Sequence, residues 1–294
     1  EERSTILERP IYMDRITPYI DTKIIKILVG QRRVGKSYIL KAVAREVRHR
    51  NPEANIISIN LEDFAFSHIT EAKELNDAIS LQLADDKRNY IFLDEIQEVE
   101  GFDKVVRSLI LNPQNDVYLT GSNSSMLSSE IASRLAGRSI QIHVHPLTYG
   151  EFLEFHSYTD SDESLATYLR YGGLPYLMHL PEQKTWSEYL GGVTDAVVYR
   201  DVVSRHSLRN TDFLQRLLRF LADNTGQIFN AKRISDYLKS QRISTSVTGV
   251  QSYIAYVEEA YIINRIRRWD IEGKRYFEIG EKIFFEDLGI RNSI

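Results

Sequence analysis

The chain has 294 residues, 43% hydrophobic and 27% charged, with no cysteine and a formal net charge of −4. That length suggests two or three domains, and the composition excludes a disordered or fibrous chain. Without cysteine there is neither a disulfide framework nor a thiolate metal site, which fits a reducing cytoplasm. Residues 200–294 hold 16 Lys and Arg against 12 Asp and Glu, or +4, leaving 21 against 29, or −8, in residues 1–199. No apolar run approaches the length of a membrane span and "EERSTILERPIYMDR" has no signal-peptide core, so a cytoplasmic protein without a membrane partner is expected.

In chain order, "IIKILV" (24–29) is β-branched and apolar and predicts a buried strand. It runs into "GQRRVGKS" (30–37). Ser37 to Arg50 then places Ile39, Leu40, Val43 and Val47 on one helical stripe, which Asn51 and Pro52 end. Gly30, Gly35, Lys36 and Ser37 satisfy G-x-x-x-x-G-K-[ST] in the strand–loop–helix context that gives the pattern its meaning. The glycines let the backbone curl until its N–H groups, backed by a helix N-terminus, point into an anion-sized nest. Gly30, Gln31, Arg32, Arg33, Val34, Gly35, Lys36, Ser37 and Tyr38 are therefore the candidate ATP-binding residues. Lys36 would reach the β- and γ-phosphates, and the Ser37 hydroxyl would ligate Mg²⁺. A plain surface turn is the alternative.

Four further strands are predicted in "NIISIN" (55–60), "YIFLDE" (90–95), "DVYLT" (116–120) and "SIQIHVH" (139–145). They alternate with helical segments, as the crossovers of a parallel sheet require. Ligands bind at the C-terminal ends of such strands. There "YIFLDEIQ" delivers Asp94 to hold Mg²⁺ and Glu95 to act as the general base on the attacking water. "LTGSNSS" (119–125) offers Ser122, Asn123 or Ser124 to the γ-phosphate or the water, although any strand-to-loop transition favours such residues. "SRLAGRS" (133–139) offers Arg134 or Arg138 as an arginine finger, in cis or from a neighbouring subunit of a homo-oligomer. A salt-bridged surface arginine is the competing explanation.

From about residue 147 aromatic, helical sequence continues through Tyr199, and Gly172 and Gly173 before Pro175 mark a bend within it. In "YRDVVSRH" (199–206), Arg200, Asp201, Arg205 and His206 suit an ion-pair network better than a nucleotide sensor. From 211 three helices are predicted in "FLQRLLRFLADNTGQ", "NAKRISDYLKSQ" and "SVTGVQSYIAYVEEAYI", then a two-stranded wing from "INRIRRWD" and "KRYFEIG". That is the order of a winged helix-turn-helix. The third helix, 246–259, carries no Lys or Arg; basic residues flank it instead, which suits phosphate contact with DNA better than base reading.

On "LVGQRRVGKS", "YIFLDEIQ", "LTGSNSSML", "SRLAGRS", "HPLTYGEFLEF", "YGGLPYL" and "VVYRDVV", the chain resembles the prokaryotic AAA-type ATPases of the archaeal ATPase class. These are P-loop NTPases fused to a winged helix and a C-terminal domain of unknown function. The resemblance implies an α/β P-loop NTPase with a five-stranded parallel sheet, the Asp94 strand lying between the phosphate-loop strand and its neighbour. It also implies a nuclease-like α/β domain after "KIFFEDLGIRN", which would be missing or truncated here, since the sequence stops at Ile294. The expected domains are an ATPase core at 1–147, a helical lid or linker region at 148–210, and a winged helix with the start of a truncated C-terminal region at 211–294. The expected function is Mg²⁺-dependent ATP hydrolysis that switches the winged helix on DNA. The alternative is a slow-turnover, nucleotide-dependent regulator whose winged helix contacts only proteins. A small-molecule kinase would have no use for that module.

Overall fold

The computed structural model describes residues 8–124, 133–135, 137–240, 246–267 and 280–294, and among them no helix is long and apolar enough to cross a membrane. The chain divides into two compact units, residues 1–145 and 146–294.

In the first unit, helix α1 (Pro10–Ile16) precedes five strands: β1 (Ile25–Val29), β2 (Asn55–Asn60), β3 (Asn89–Asp94), β4 (Asn115–Gly121) and β5 (Ser139–His143). All pair in parallel in the order β2-β3-β4-β1-β5. Every residue of β1, β3 and β4 is buried, as central strands covered on both faces require. Helices α2 (Lys36–Arg50), α3 (Ala72–Ser80) and α4 (Phe102–Leu109) form the crossovers. Val43 and Val47 of α2 and Ile91 and Leu93 of β3 are at most 1% exposed, each such side chain contributing about 1.5–3 kcal/mol on burial.

The strand order corrects one expectation. The Asp94 strand does not neighbour the phosphate-loop strand; β4 lies between β3 and β1. Placing β4 there puts its C-terminal residues, Thr120 onward, between the two halves of the site. Lys26, the charged residue in β1, is only 1% exposed and forms an ion pair with Asp116 of β4, whose carboxylate also accepts from Tyr118 Oη at 2.9 Å. Burial lowers the pKa of Lys26 while Asp116 opposes that shift.

The second unit begins with α5 (Tyr149–His156), held by a capping box between Thr148 and Glu151, and α6 (Asp162–Tyr171), capped by Ser161. Then come α7 (Gln183–Val197), continuing into one π-helical stretch (Val198–Ser204), and α8 (Thr211–Asp223). A three-stranded antiparallel sheet of order β6-β8-β7 follows, built from β6 (Ile228–Phe229), β7 (Ile263–Arg267) and β8 (Glu281–Phe285). Between β6 and β7 run α9 (Ala231–Ser240) and α10 (Val247–Glu259). β7 pairs with Glu281–Phe285; of the expected wing strand 274–280, residues 274–279 lie outside the described residues.

Residues 282–285 complete this sheet as part of β8, and α11 (Leu288–Ser293) then packs on α6 and α7. The bend after α6 explains the glycines. Gly172 has φ +73°, and a Cβ there would lie 2.4 Å from both Asp287 Oδ1 and the Gly289 nitrogen. The Gly173 N–H donates to Asp287 Oδ2 at 2.7 Å, and the Asn292 amide donates to the Leu169 and Arg170 carbonyls at 2.9 Å. "YGGLP" and "EDLGIRN" are therefore two halves of one interlock.

Candidate functional site

The loop from Gly30 to Ser37 leaves the C-terminal end of β1 in a conformation that its glycines permit. Gly30 has φ +146°, and a Cβ there would come within 2.2 Å of the Val144 carbonyl oxygen. Gly35, at φ +95°, stands immediately before α2. Non-glycine Arg33 also has positive φ, +69°. Arg9 braces the loop from outside: its Nη1 donates to the Val34 carbonyl at 3.2 Å and to the His145 carbonyl at 2.8 Å. Gln31 is fully buried, and its amide has no hydrogen-bond partner among the described residues. Arg32 pairs with Glu62, whereas Arg33 and Tyr38 are exposed.

Lys36 is 3% exposed, whereas a plain surface turn would leave it in solvent. Its Nζ donates to the carbonyls of Gly30 and Gln31 at 3.0 Å each and lies 3.8 Å from Glu95 Oε1. The Ser37 side chain lies near the Asp94 carboxylate and acts to lower its pKa. The start of α2 and the end of β3 thus meet at one point. A lysine inside a curled backbone fits a phosphate, and a hydroxyl beside a carboxylate is the hard-oxygen pair that Mg²⁺ prefers.

Thr120, at the end of β4 and fully buried, joins the halves. Its Oγ1 donates to Asp94 Oδ1 at 2.5 Å and accepts from the Glu95 N–H at 2.8 Å. Burial is the main influence on Asp94 and raises its pKa, against the opposing effects of Ser37 and Thr120. Burial pushes Glu95 the same way, but the Lys36 ammonium, the Gln97 amide, Arg32 and Ser122 together bring its carboxyl below the ordinary value. Glu95 is consequently ionised at neutral pH, as a base on water must be. It also adopts φ +55°, a left-handed conformation uncommon outside glycine.

Ser122 and Asn123 are buried at the end of β4, and Ser122 Oγ accepts from Gln97 Nε2 at 3.2 Å. Ser124 is half-buried. The structure brings together Lys36, Ser37, Asp94, Glu95 and Ser122 but not the arginines. Arg134 Nη1 binds Asp103 Oδ2 of α4 at 3.1 Å. Arg138 precedes β5, and the register Ile25↔Ser139 places it at the opposite end of the sheet from Gly30. The intervening strand is about 16 Å long. Arg138 is exposed there and too far to serve its own loop. In the second unit, His206 stacks on Tyr256 at 3.8 Å and lies 3.3 Å from Glu259 Oε2.

The sequence reading missed Thr120, Gln97 and Arg9. Thr120 and Gln97 lay inside stretches already singled out, where a polar residue pointing along the strand end was the available signal. Arg9 had none.

Residues 22–153 match the family model of an AAA domain, and residues 162–294 match that of a domain of unknown function, DUF8612. An uncharacterized protein of Haemophilus influenzae is 31% identical over 292 residues, covering 97% of this chain and 73% of its own length. The chain belongs to the same family as that protein and contains an AAA domain. A Methanocaldococcus jannaschii relative, MJ1544, is 31% identical over 261 residues, and there the match covers 85% of this AAA protein but only 58% of the relative. Among solved structures, the Aeropyrum pernix ORC1 protein in complex with DNA is 13% identical, with 99% of this chain and 91% of that one covered at a TM-score of 0.42. AMPPCP-bound DnaA from Aquifex aeolicus is 16% identical, with 85% and 87% covered at 0.40. Both scores are too low to bear on function, so the P-loop α/β assignment rests on the strand order, the loop and the matched AAA domain.

Proposed function

We propose that this AAA protein binds Mg·ATP at the Gly30–Ser37 loop and hydrolyses it, and that hydrolysis switches the second unit. The observation that carries this reading is the meeting of Lys36 and Ser37 with Glu95 and Asp94 across an intervening strand. In it the loop N–H groups and Lys36 hold the phosphates, Ser37 and Asp94 hold the metal, and Glu95 takes a proton from water. Bound Mg²⁺ would neutralise charge on the phosphates. The test is Mg²⁺-dependent phosphate release from ATP by wild type, abolished by Lys36→Ala and by chelation; equal release with either change would refute it.

For the second unit, the order α8, β6, α9, α10, β7, β8 supports a winged-helix reading of residues 211–294, with 148–210 as a helical lid. DNA is its leading partner, bound through phosphate contacts. One observation favours the alternative of protein contacts alone. Arg265 binds Glu258 through Nε at 2.6 Å, and Arg267 Nε lies 3.3 Å from Glu281 Oε1, so two wing arginines already have carboxylate partners. The position of Arg138 supports a homo-oligomer in which each finger serves a neighbour. We place the protein in the cytoplasm, where a cysteine-free chain is at home.

A further inference from the structure

We propose that Gln97 orients the attacking water jointly with Glu95, a role that rests on the ATP-hydrolysing reading above. Gln97 sits in the short 3₁₀ turn Ile96–Glu98 directly after β3. The left-handed backbone of Glu95, φ +55°, starts that turn, and the Glu98 N–H donates to the Glu95 carbonyl at 3.1 Å to close it. A non-glycine residue held in this region is a strained feature that functional sites retain. Its effect here is to fold the Gln97 side chain back onto Glu95.

Gln97 Nε2 donates to Glu95 Oε2 at 2.5 Å and to Ser122 Oγ at 3.2 Å. Both hydrogens of the amide nitrogen are thereby engaged. Chemistry fixes which end is which, because turning the amide over would set its oxygen against the Glu95 carboxylate, acceptor against acceptor. Gln97 Oε1 is therefore held on the far side, buried and without a hydrogen-bond partner among the described residues. A buried amide oxygen that accepts nothing is rare, and such a group calls for a functional account.

A water molecule has two O–H groups, and this pair of side chains offers two acceptors, the Glu95 carboxylate and, at the other end of the amide bound to it, Gln97 Oε1. Donating one O–H to each fixes the orientation of the water and leaves its lone pair free to attack. In the chemical step the water oxygen bonds to the γ-phosphorus. The bond from that phosphorus to the bridging oxygen breaks, its electrons leave with ADP, and the water proton passes to Glu95. Gln97 exchanges no proton; it sets the geometry from which the attack starts, the kind of contribution that orientation makes to a barrier.

The experiment uses the full chain with Gln97→Ala and, as a variant of similar volume with neither donor nor acceptor, Gln97→Met. Three quantities are read: Mg·ATP affinity, single-turnover hydrolysis, and the affinities of ADP with beryllium fluoride and with aluminium fluoride. Only the aluminium complex mimics the state with water in line. Both variants are expected to keep Mg·ATP and beryllium fluoride affinities within about threefold, lose about 30-fold or more in hydrolysis, and bind the aluminium complex about tenfold more weakly. Hydrolysis and aluminium fluoride binding within about threefold of wild type in a folded variant would overturn the proposal. So would ground-state affinity falling in step with hydrolysis, which marks a structural role. A wild type without Mg²⁺-dependent turnover would overturn the reading of the site and this role with it. An active wild type matched by both variants would overturn the role of Gln97 alone.

Discussion

Lys36 Nζ stands 3.8 Å from Glu95 Oε1, and both side chains are buried. The proposed phosphate-binding cation and the proposed base thus form one charge pair, and removing either takes that partner from the other in a low-dielectric site. Lys36→Ala is expected to abolish measurable Mg·ATP binding by calorimetry and also to cost stability, on the order of 3 kcal/mol in a denaturant melt. Adding Glu95→Gln to it should restore part of that stability without restoring binding. Stability lost equally in the single and double variants would show that the pair is not coupled.

What the sequence made legible was local. Strand, loop and helix around Gly30–Ser37 follow from hydrophobic periodicity and one spaced motif, and Asp94 and Glu95 follow from an apolar run ending in two acids. What it hid depends on which strands become neighbours. Thr120 acts on Asp94 from 26 residues away, and that contact exists only because β4 enters between β3 and β1. Arg9 reaches Val34 from 25 residues away. A two-residue strand such as Ile228–Phe229 leaves no periodic signal, and its partner β8 lies just past the stretch in which the wing was expected to end.

Asp287 gives the second unit a pH dependence. Burial pushes its pKa up to about 6 from 3.8, against the backbone N–H bonds from Gly173, Ile290 and Gly289. The folded chain therefore keeps a proton between these values that the unfolded chain releases. Stability from this group is greatest below about pH 4 and falls as pH rises to about 6, by about 3 kcal/mol. Urea melts at pH 4.5 and pH 7 should show this loss in wild type. Asp287→Asn, which loses an acceptor for Gly173, should be less stable at both values and nearly flat between them. An unchanged pH slope in that variant would assign the dependence elsewhere.

Arg138 lies at the end of the sheet away from its own loop, so any finger role is exercised on a neighbour. Specific ATPase activity should then rise with protein concentration. Mixing Lys36→Ala protein, which supplies an arginine, with Arg138→Ala protein, which supplies a loop, should recover part of it. A monomeric wild type with full activity, and no recovery on mixing, would leave Arg138 as a surface residue.

Binding to DNA is expected to be weak, indifferent to sequence and steeply salt-dependent, since it would consist of phosphate contacts that release counterions. A labelled duplex titrated at two salt concentrations should lose affinity with the Arg267→Glu, Arg268→Glu double variant. Arg267 is exposed, so the change need not disturb folding, although its contact with Glu281 is lost. No binding at low salt, or binding unaffected by the two charges, would favour the protein-contact reading.

Glu95→Gln is the most direct test of the site as a whole. The amide keeps the size of the side chain while Asp94 and Ser37 remain to hold the metal, so Mg·ATP should bind as in wild type. Single-turnover hydrolysis, followed with excess protein over labelled ATP, should fall by about 100-fold or more. Bound ATP that turns over within about tenfold of the wild-type rate in this variant would contradict the placement of the base at Glu95 and the account of the site built on it.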